Sequence, residues 1–187
     1  MELDDIIQKR RAYRSFGPVE ITESFIHDLA EHARLSPSCN NMQPWRFVFV
    51  HDKDALKALF GAMSKNNDWT GLSSMIVAVF SKPDLDCVIK DRTYNLFDTG
   101  MATAFLMLRA WDLGLVAHPI AGFQPENVKK ILDIPDEMTL ITLVIVGKKK
   151  ETIDPILTPK QAIQEKERPE RFTFERFAYI NKYTGER

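Results

Sequence analysis

Three short, mostly apolar runs set between helical patterns limit what this chain can fold into. They occupy residues 47–50, 75–80 and 140–146. Each is too short for a buried helix and is predicted to be a buried strand. Only about four or five strands can be found in the 187 residues, and the helical fraction is high. The pattern therefore predicts one domain that mixes helices with a covered sheet.

Helical periodicity and capping residues place the helices. Residues 3–14 are predicted to form a first helix, with acidic residues in its first turn and basic residues at its end. Thr22 and Asp52 are predicted N-caps of the second and third helices. Residues 94–111 carry large apolar side chains every three or four positions. We expect this long helix to be a core or dimer element.

The glycines and histidines exclude several common sites. No two of the eight glycines lie two residues apart, so a G-x-G-x-x-G dinucleotide loop cannot occur. The four histidines show no H-x-x-x-H spacing, and there is no G-x-S-x-G motif. We therefore predict no metal site and no serine nucleophile. Any phosphate must be held by side chains.

Charge and cysteine content narrow the partners and the compartment. Lys plus Arg is 25 and Asp plus Glu is 26, so no global basic field favours nucleic acid. No apolar run approaches the roughly 18 residues of a membrane helix, and the acidic N-terminus lacks a signal-like apolar region. Cys39 and Cys87 form no Cys-x-x-Cys pair, so neither a disulfide framework nor a zinc ribbon is expected. These features predict a cytoplasmic protein that binds neither nucleic acid nor membrane.

The C-terminal segment 148–187 differs from the rest of the chain. It holds ten Lys or Arg residues and seven Asp or Glu residues. It also carries several aromatic side chains, which are too apolar to leave in water without an aggregation cost. We predict an arm that packs either on its own domain or on a partner subunit.

Three segments are candidates for ligand contacts, and each has a plainer alternative. Arg10 and Arg14 are four residues apart in the predicted helix and could converge on one anion, or could be solvated cations at a helix end. The carboxamide-rich loop 36–45 could form hydrogen bonds with the edge of a polar ring, or could be an ordinary turn. Residues 118–123 could bring backbone close to a flat ring, or could be a simple connection.

Together these segments resemble the nitroreductase-like FMN-dependent flavoprotein family. The resemblance extends over residues 3–180. It is carried, in chain order, by Arg10-Arg11-x-x-Arg14, Ser36-Pro37-Ser38-Cys39-x-Asn41-x-Gln43-Pro44-Trp45, Asp98-x-Gly100-x-Ala102, Pro119-Ile120-Ala121-Gly122 and Arg168-Pro169-Glu170-Arg171.

The resemblance implies an α+β fold with a mostly antiparallel central sheet flanked by helices. It implies one domain over residues 1–187, a homodimer, and residues 148–187 as an arm on the partner subunit. The implied activity is that of an FMN-dependent NAD(P)H oxidoreductase, which reduces nitroaromatic, quinone or related small-molecule acceptors by ping-pong hydride transfer. The alternatives are a flavin enzyme for reductive dehalogenation or a flavin-consuming reaction, and an FMN-binding protein without turnover. The choice between NADH and NADPH stays open.

The resemblance also implies a cofactor site in which flavin N5 carries the chemistry and no side chain is catalytic. The implied contacts are Arg10, Arg11 and Arg171 at the phosphate, with Arg168 as a further candidate, and Arg14 at the N1/O2 side of the ring. Further implied contacts are Pro37, Ser38 and Cys39 from the partner subunit, Asn41 as a brace, Asn67 or its neighbour Asn66 at the pyrimidine edge, and Pro119, Ile120, Ala121 and Gly122 along the ring.

Overall fold

The computed structural model describes residues 2–185, which form six α-helices and seven strands. The helices are α1 (Leu3–Lys9), α2 (Glu23–Arg34), α3 (Lys53–Phe60), α4 (Asn95–Asp112), α5 (Pro125–Ile131) and α6 (Pro159–Lys166). The strands are β1 (Phe16–Gly17), β2 (Arg46–Val50), β3 (Met75–Ser81), β4 (Val88–Ile89), β5 (Arg92–Thr93), β6 (Leu115–Ile120) and β7 (Thr139–Lys149).

Five of the strands form one antiparallel sheet, which confirms the predicted α+β class. The strand order is β1-β7-β3-β2, and β6 also pairs with β7. Strands β4 and β5 form a separate two-stranded hairpin. The three predicted strands are present as β2, β3 and β7. Strand β7 is central because it pairs with three other strands.

Helices cover both faces of the sheet, and this explains the continuous apolar runs. In β3 every residue is buried, with Ile76 and Ala78 in one core cluster and Val77 and Val79 in the other. Helices α2 and α4 pack in the second cluster, where Leu106 is fully buried. A strand covered on both faces needs no polar alternation, so its sequence is apolar throughout.

Two predicted helix caps are confirmed. The Thr22 hydroxyl accepts a hydrogen bond from the Phe25 N–H at 3.2 Å at the start of α2. At the start of α3, Asp52 Oδ1 accepts from the Asp54 and Ala55 N–H groups at 3.0 and 2.9 Å. Such side-chain acceptors satisfy N–H groups that have no partner within the helix.

The first helix is shorter than predicted, because α1 ends at Lys9. The backbone N–H groups of Arg14 and Ser15 donate to the Glu165 carboxylate at 2.8 and 3.2 Å, and His118 Nδ1 lies 2.9 Å from the Tyr13 carbonyl oxygen. These tertiary contacts hold residues 10–15 in a non-helical conformation. The prediction that Arg10 and Arg14 share a helix face is therefore wrong.

Strand β6 was not predicted as a strand. Residues 118–123 read as a loop or connection because Pro119 lacks an N–H and proline is rare inside sheets. In the structure Pro119 lies opposite Val144 of β7 and is exposed. The chain leaves the sheet only after Ile120. Residues 121 and 122 then lie directly beyond the end of the strand.

Helix α4 exposes several of its large side chains. Ala102, Leu106 and Ala110 are fully buried, whereas Phe97 is 64% exposed and Phe105 is 40% exposed. The face toward α2 and the sheet therefore holds only part of the apolar surface of the helix. The large apolar side chains that gave the helical pattern point partly to solvent in the single chain.

The C-terminal arm divides into a packed and an exposed part. Helix α6 begins with a capping box between Thr158 and Gln161, and its Glu165 is buried against the N-terminal segment. Beyond it, Phe172, Phe174, Phe177, Ile180 and Tyr183 are all more than half exposed. Residues 186 and 187 of the predicted arm lie outside the described part of the chain.

Cys39 and Cys87 form a disulfide, with Cα atoms 5.9 Å apart. The prediction from cysteine spacing, which allowed no disulfide framework, did not include this bridge. The two residues are 48 positions apart, and tertiary packing brings them together. Among residues 2–185, none of the helices has both the length and the apolar composition needed to cross a bilayer.

Candidate functional site

Arginines from opposite ends of the chain surround one cavity of about 150 Å³. Its lining comprises Arg10, Arg11, Ala12, Arg14, Gln164, Arg168, Pro169 and Arg171. Typical small-molecule pockets measure about 300–1,000 Å³, so this cavity suits one end of a larger ligand. Because five arginines line the cavity, the end of the ligand that fits it should carry negative charge.

Two of these arginines hold the two ends of the chain together. Arg11 Nη2 donates to the Gln164 carbonyl at 2.7 Å. Arg168 Nη2 donates to the carbonyls of Gln8 and Arg10 at 2.6 and 2.7 Å. These bonds fix the C-terminal arm beside the segment that follows α1. Arg11 and Arg168 therefore have fewer donors left for a ligand.

The guanidinium groups of Arg10, Arg14 and Arg171 make no hydrogen bond or ion pair within residues 2–185. Burial, together with the charges of Arg168 and Arg171, lowers the pKa of Arg10. Burial also lowers the pKa of Arg14, and the Glu165 carboxylate opposes this shift. Partly buried like charges destabilise one another unless an anion lies between them. The cluster is suited to bind a multiply charged oxyanion through fork-shaped donors.

A continuous set of contacts connects this cluster with the end of β6. The Arg14 guanidinium carbon lies 5.8 Å from the centroid of the Trp69 ring, and Trp69 Nε1 donates to Asn67 Oδ1 at 3.2 Å. Asn67 Nδ2 in turn donates to the Gly122 carbonyl at 2.8 Å, and the Ser64 N–H donates to the same oxygen at 3.0 Å. The segment after β6 is therefore held in a fixed position relative to the arginines.

Asn67, rather than Asn66, is the asparagine whose side chain contacts this segment. The Asn66 carbonyl accepts a hydrogen bond from Gln161 Nε2 at 2.9 Å, and its backbone has a φ of 73°. Asn66 thus makes a turn that joins the region to α6. Asn67 is the brace of the Gly122 backbone.

Gly122→Ala is expected to lower the free energy of unfolding by about 1–2 kcal/mol. A Cβ at this position would lie 2.3 Å from Asn67 Nδ2, so the amide must move and its hydrogen bond must lengthen or break. Urea unfolding followed by circular dichroism measures the change. Gly71→Ala is the matched control, because nothing lies within 4 Å of a Cβ there. Equal stability of the two variants would contradict the close packing of Asn67 on Gly122.

His118 is a buried, neutral histidine at the edge of the same region. Its ring centroid lies 4.7 Å from that of Trp69, and Nδ1 contacts the Tyr13 carbonyl. Burial lowers the pKa of His118 to about 4, with smaller contributions from the charges of Arg14 and Arg10. The imidazole is therefore uncharged at neutral pH. It orients the Tyr13 backbone and does not act as an acid there.

This pKa predicts that the folded chain loses stability as the pH falls. The unfolded histidine takes up a proton near pH 6.5, whereas the folded one does so only near pH 4. The contribution is fully present above the unfolded pKa and falls by about 3 kcal/mol across this window. His118→Asn, which keeps a side-chain donor, should make the urea midpoint less pH-dependent between pH 7 and 4.5. His27→Asn, a control at an exposed position, should leave this pH dependence unchanged. The same slope of the urea midpoint against pH in both variants would contradict the role assigned to His118.

The loop 36–45 lies elsewhere in the single chain, and none of its residues lines the arginine cavity. The Cys39 N–H donates to Asp98 Oδ2 at 2.7 Å, and the Gln43 N–H donates to the Ser38 hydroxyl at 3.0 Å. Asn40, Asn41 and Gln43 all have positive φ values of 48°, 57° and 51°. The loop is thus held in an unusual backbone conformation by bonds to α4. Of the predicted contacts, the structure brings together the arginines, Asn67 and residues 119–122, but not residues 37–41.

The sequence model of the Nitroreductase family matches residues 7–148. The chain belongs to the nitroreductase family. A relative from Archaeoglobus fulgidus, named "Putative NADH dehydrogenase/NAD(P)H nitroreductase", is 27% identical over 158 residues, which cover 80% of this chain and 86% of the relative. A solved structure described as "the oxidoreductase containing FMN" superposes with a TM-score of 0.84 at 26% identity, covering 98% of this chain and 93% of that one.

A nitroreductase-family structure from Clostridium novyi NT superposes with a TM-score of 0.75 at 24% identity, covering 81% of this chain and 87% of that one, and supports the fold. Family membership and these relatives indicate an oxidoreductase of the flavoprotein type. The name of the Archaeoglobus protein includes NADH and NAD(P)H, and the described oxidoreductase contains FMN.

Several residues of this nitroreductase-family site carry no local sequence signal. Glu165 is buried and neutralises part of the positive charge of the arginine cluster. It lies in a polar helix, about 150 positions in the sequence from the N-terminal arginines. Trp69 connects Arg14 with Asn67, although an isolated tryptophan is usually a core residue. Asp98 was part of the quoted motif without an assigned role. Its carboxylate holds the Cys39 backbone.

Proposed function

We propose that this chain is a homodimeric FMN-dependent NAD(P)H oxidoreductase that reduces nitroaromatic, quinone or related small-molecule acceptors by ping-pong hydride transfer. The observation that carries the proposal is the cavity where arginines from both ends of the chain converge. A chain without a glycine-rich phosphate loop needs such side chains to hold a phosphate. Family membership supports the same assignment.

The FMN phosphate is proposed to lie between Arg10 and Arg171. Neither guanidinium has an acceptor within residues 2–185, and burial together with the charges of Arg168 and Arg171 lowers the pKa of Arg10. Arg11 and Arg168, whose donors bind backbone carbonyls, would position the site and add positive charge. This assignment selects Arg171 over Arg168 as the direct phosphate contact from the arm.

The flavin ring is proposed to lie along residues 119–122. The segment comprises the last two residues of β6 and the two that follow, and Asn67 fixes its Gly122 backbone, so it can approach a flat ring closely. Arg14 lies on the path of contacts between the phosphate end and this segment, where its charge favours an anionic ring. When bound, FMN supplies the hydride chemistry. The residues of the chain bind and orient the cofactor and its partners.

The second subunit is proposed to cover the apolar surfaces that one chain leaves exposed. Phe97 and Phe105 of α4, together with Phe172 and Phe177 of the arm, present a large apolar area. An arm that packs on the partner would bury these rings. The same arrangement would let Pro37, Ser38, Cys39 and Asn41 reach the cofactor bound by the other subunit.

Spectroscopy and turnover test this proposal. The purified chain, reconstituted with FMN, is expected to absorb near 450 nm as a flavoprotein of about one FMN per chain, and NADH or NADPH should bleach it without oxygen. Nitro compounds and quinones should reoxidise it, with halogenated phenols as the comparison substrate. Binding without bleaching by either nicotinamide would contradict the oxidoreductase assignment. Faster turnover of halogenated phenols would contradict the proposed acceptors.

A further inference from the structure

A buried carboxyl group adjoins the Cys39–Cys87 disulfide. Asp86 is only 6% exposed, and one of its oxygens lies within 4.8 Å of both sulfur atoms. Its Oδ1 accepts the Cys87 N–H at 2.8 Å, whereas no described residue donates a hydrogen bond to the buried Oδ2. A buried carboxyl oxygen without a hydrogen-bond partner destabilises the fold unless the carboxyl group carries or exchanges a proton.

A second carboxylate favours the protonated form of Asp86. The Asp98 carboxylate interacts electrostatically with Asp86, and two neighbouring carboxylates repel each other unless one of them is protonated. Burial and the charge of Asp98 raise the pKa of Asp86. Asp98 in turn accepts the Cys39 N–H at 2.7 Å. A proton on Asp86 would therefore lie beside the disulfide.

The two sulfur atoms differ in their surroundings. Asn40 Nδ2 lies 3.5 Å from Cys87 Sγ and can donate a hydrogen bond to it. Such a bond stabilises a thiolate, so Cys87 is the better leaving group. Both cysteines are half-buried, and the neighbouring Asn40 and Val88 are exposed in the single chain. A small dithiol can therefore reach Cys39.

We propose that Cys39 and Cys87 form a redox site that exchanges its disulfide with external dithiols, with Asp86 supplying the proton to the departing thiolate. An external thiolate attacks Cys39 Sγ, the S–S bond breaks, and Cys87 Sγ takes the electron pair and the Asp86 proton. The second thiol of the reagent loses its proton to solvent and attacks the mixed disulfide. Cys39 leaves and is protonated from solvent. The reagent is oxidised to a disulfide, and the chain gains two thiols.

The disulfide exchange does not require flavin, although Cys39 is also one of the loop residues proposed to reach the cofactor of the other subunit. Reduction would remove the covalent tie between the loop 36–45, with its positive-φ residues, and the segment that contains β4. Strained backbone persists only where its surroundings hold it, so the reduced loop should be more mobile. Thiol chemistry can be measured on the chain with or without FMN, so failure of the flavin proposal leaves this test intact.

Thiol titration of the folded full-length chain tests the site. Air-purified protein, denatured without reductant, should show no free thiol, and two thiols should appear together after dithiothreitol treatment of the folded chain. Asp86→Asn keeps an acceptor for the Cys87 N–H and should slow reduction near neutral pH by roughly tenfold or more. Asp84→Asn, an exposed neighbour, is the matched control and should react like the unaltered chain.

Three results would overturn the proposal. The first is two free thiols in the air-purified chain, and the second is a disulfide that dithiothreitol reduces only in denaturant. The third is equal rates of disulfide reduction in the Asp86→Asn and Asp84→Asn chains. Equal rates would show that Asp86 does not supply the proton to Cys87. If Asp86→Asn does not fold, Cys87→Ser serves instead. Its remaining Cys39 should form a mixed disulfide with a small disulfide reagent in the folded state, and failure to react contradicts access to Cys39.

Discussion

A chain that ends after Lys166 is expected to stay folded and to bind FMN about 100-fold more weakly or worse. It keeps α6 and the Glu165 bonds to the Arg14 and Ser15 backbone, so the N-terminal segment stays in place. It loses Arg171 at the proposed phosphate site and Arg168, which holds the Arg10 backbone. Quenching of FMN fluorescence by the apoprotein measures the affinity, and circular dichroism reports the fold.

A second truncation separates the arginines from the last apolar residues of the arm. A chain that ends after Ala178 keeps both arginines and loses Tyr179, Ile180 and Tyr183 among the large apolar side chains of the arm. We expect this control to retain most of its FMN affinity. An equal loss in both truncated chains would show that the arm acts through its apolar contacts, contrary to the proposed phosphate site.

Arg10→Ala is expected to raise the FMN dissociation constant by about 10- to 100-fold. The guanidinium is partly buried among like charges and has no acceptor within residues 2–185, so its donors are free for a phosphate. A hydrogen bond to a charged group contributes about 1.5–3 kcal/mol, which gives this range. Equilibrium titration at constant ionic strength measures the effect, because salt screens the attraction.

Arg34→Ala is the matched control for this substitution. Arg34 is an exposed arginine at the end of α2, where it pairs with Glu31. The Arg34→Ala substitution removes the same charge outside the cavity and should leave the FMN affinity unchanged. If Arg10→Ala binds FMN as tightly as Arg34→Ala does, Arg10 is not a phosphate ligand.

Local signals in the sequence were sufficient for most elements of the fold. The buried strands β2, β3 and β7 were predicted because a strand covered on both faces needs a continuous apolar run. Thr22 and Asp52 were predicted as caps because one side chain satisfies backbone groups within three residues. These features depend on neighbours in the sequence.

The errors occur where distant contacts decide the conformation. Residues 10–14 have a helical sequence pattern, yet Glu165 binds the Arg14 backbone from about 150 positions away and replaces the helical bonds. Strand β6 was missed because Pro119 is a poor strand residue, and pairing with β7 outweighs that preference. Cys39 and Cys87 show no informative spacing, because their proximity comes from packing of the loop against α4.

The candidate site was predicted from the combined motifs and not from any single one. Arg10 alone reads as a solvated helix end, and Arg171 alone reads as part of a basic tail. Their meeting in one cavity follows from the bonds of Arg11 and Arg168 to backbone carbonyls. No local rule anticipates such bonds. The role of Asn67 as a brace for Gly122 likewise appears only in three dimensions.

The central claim is that the arginine cavity recognises the phosphate of a mononucleotide flavin. Parallel titration of the apoprotein with FMN and with riboflavin, which lacks the phosphate, tests it most directly. We expect one FMN per chain, with an affinity at least about 100-fold above that for riboflavin. Equal affinity for the two flavins, or no binding of either, would contradict it.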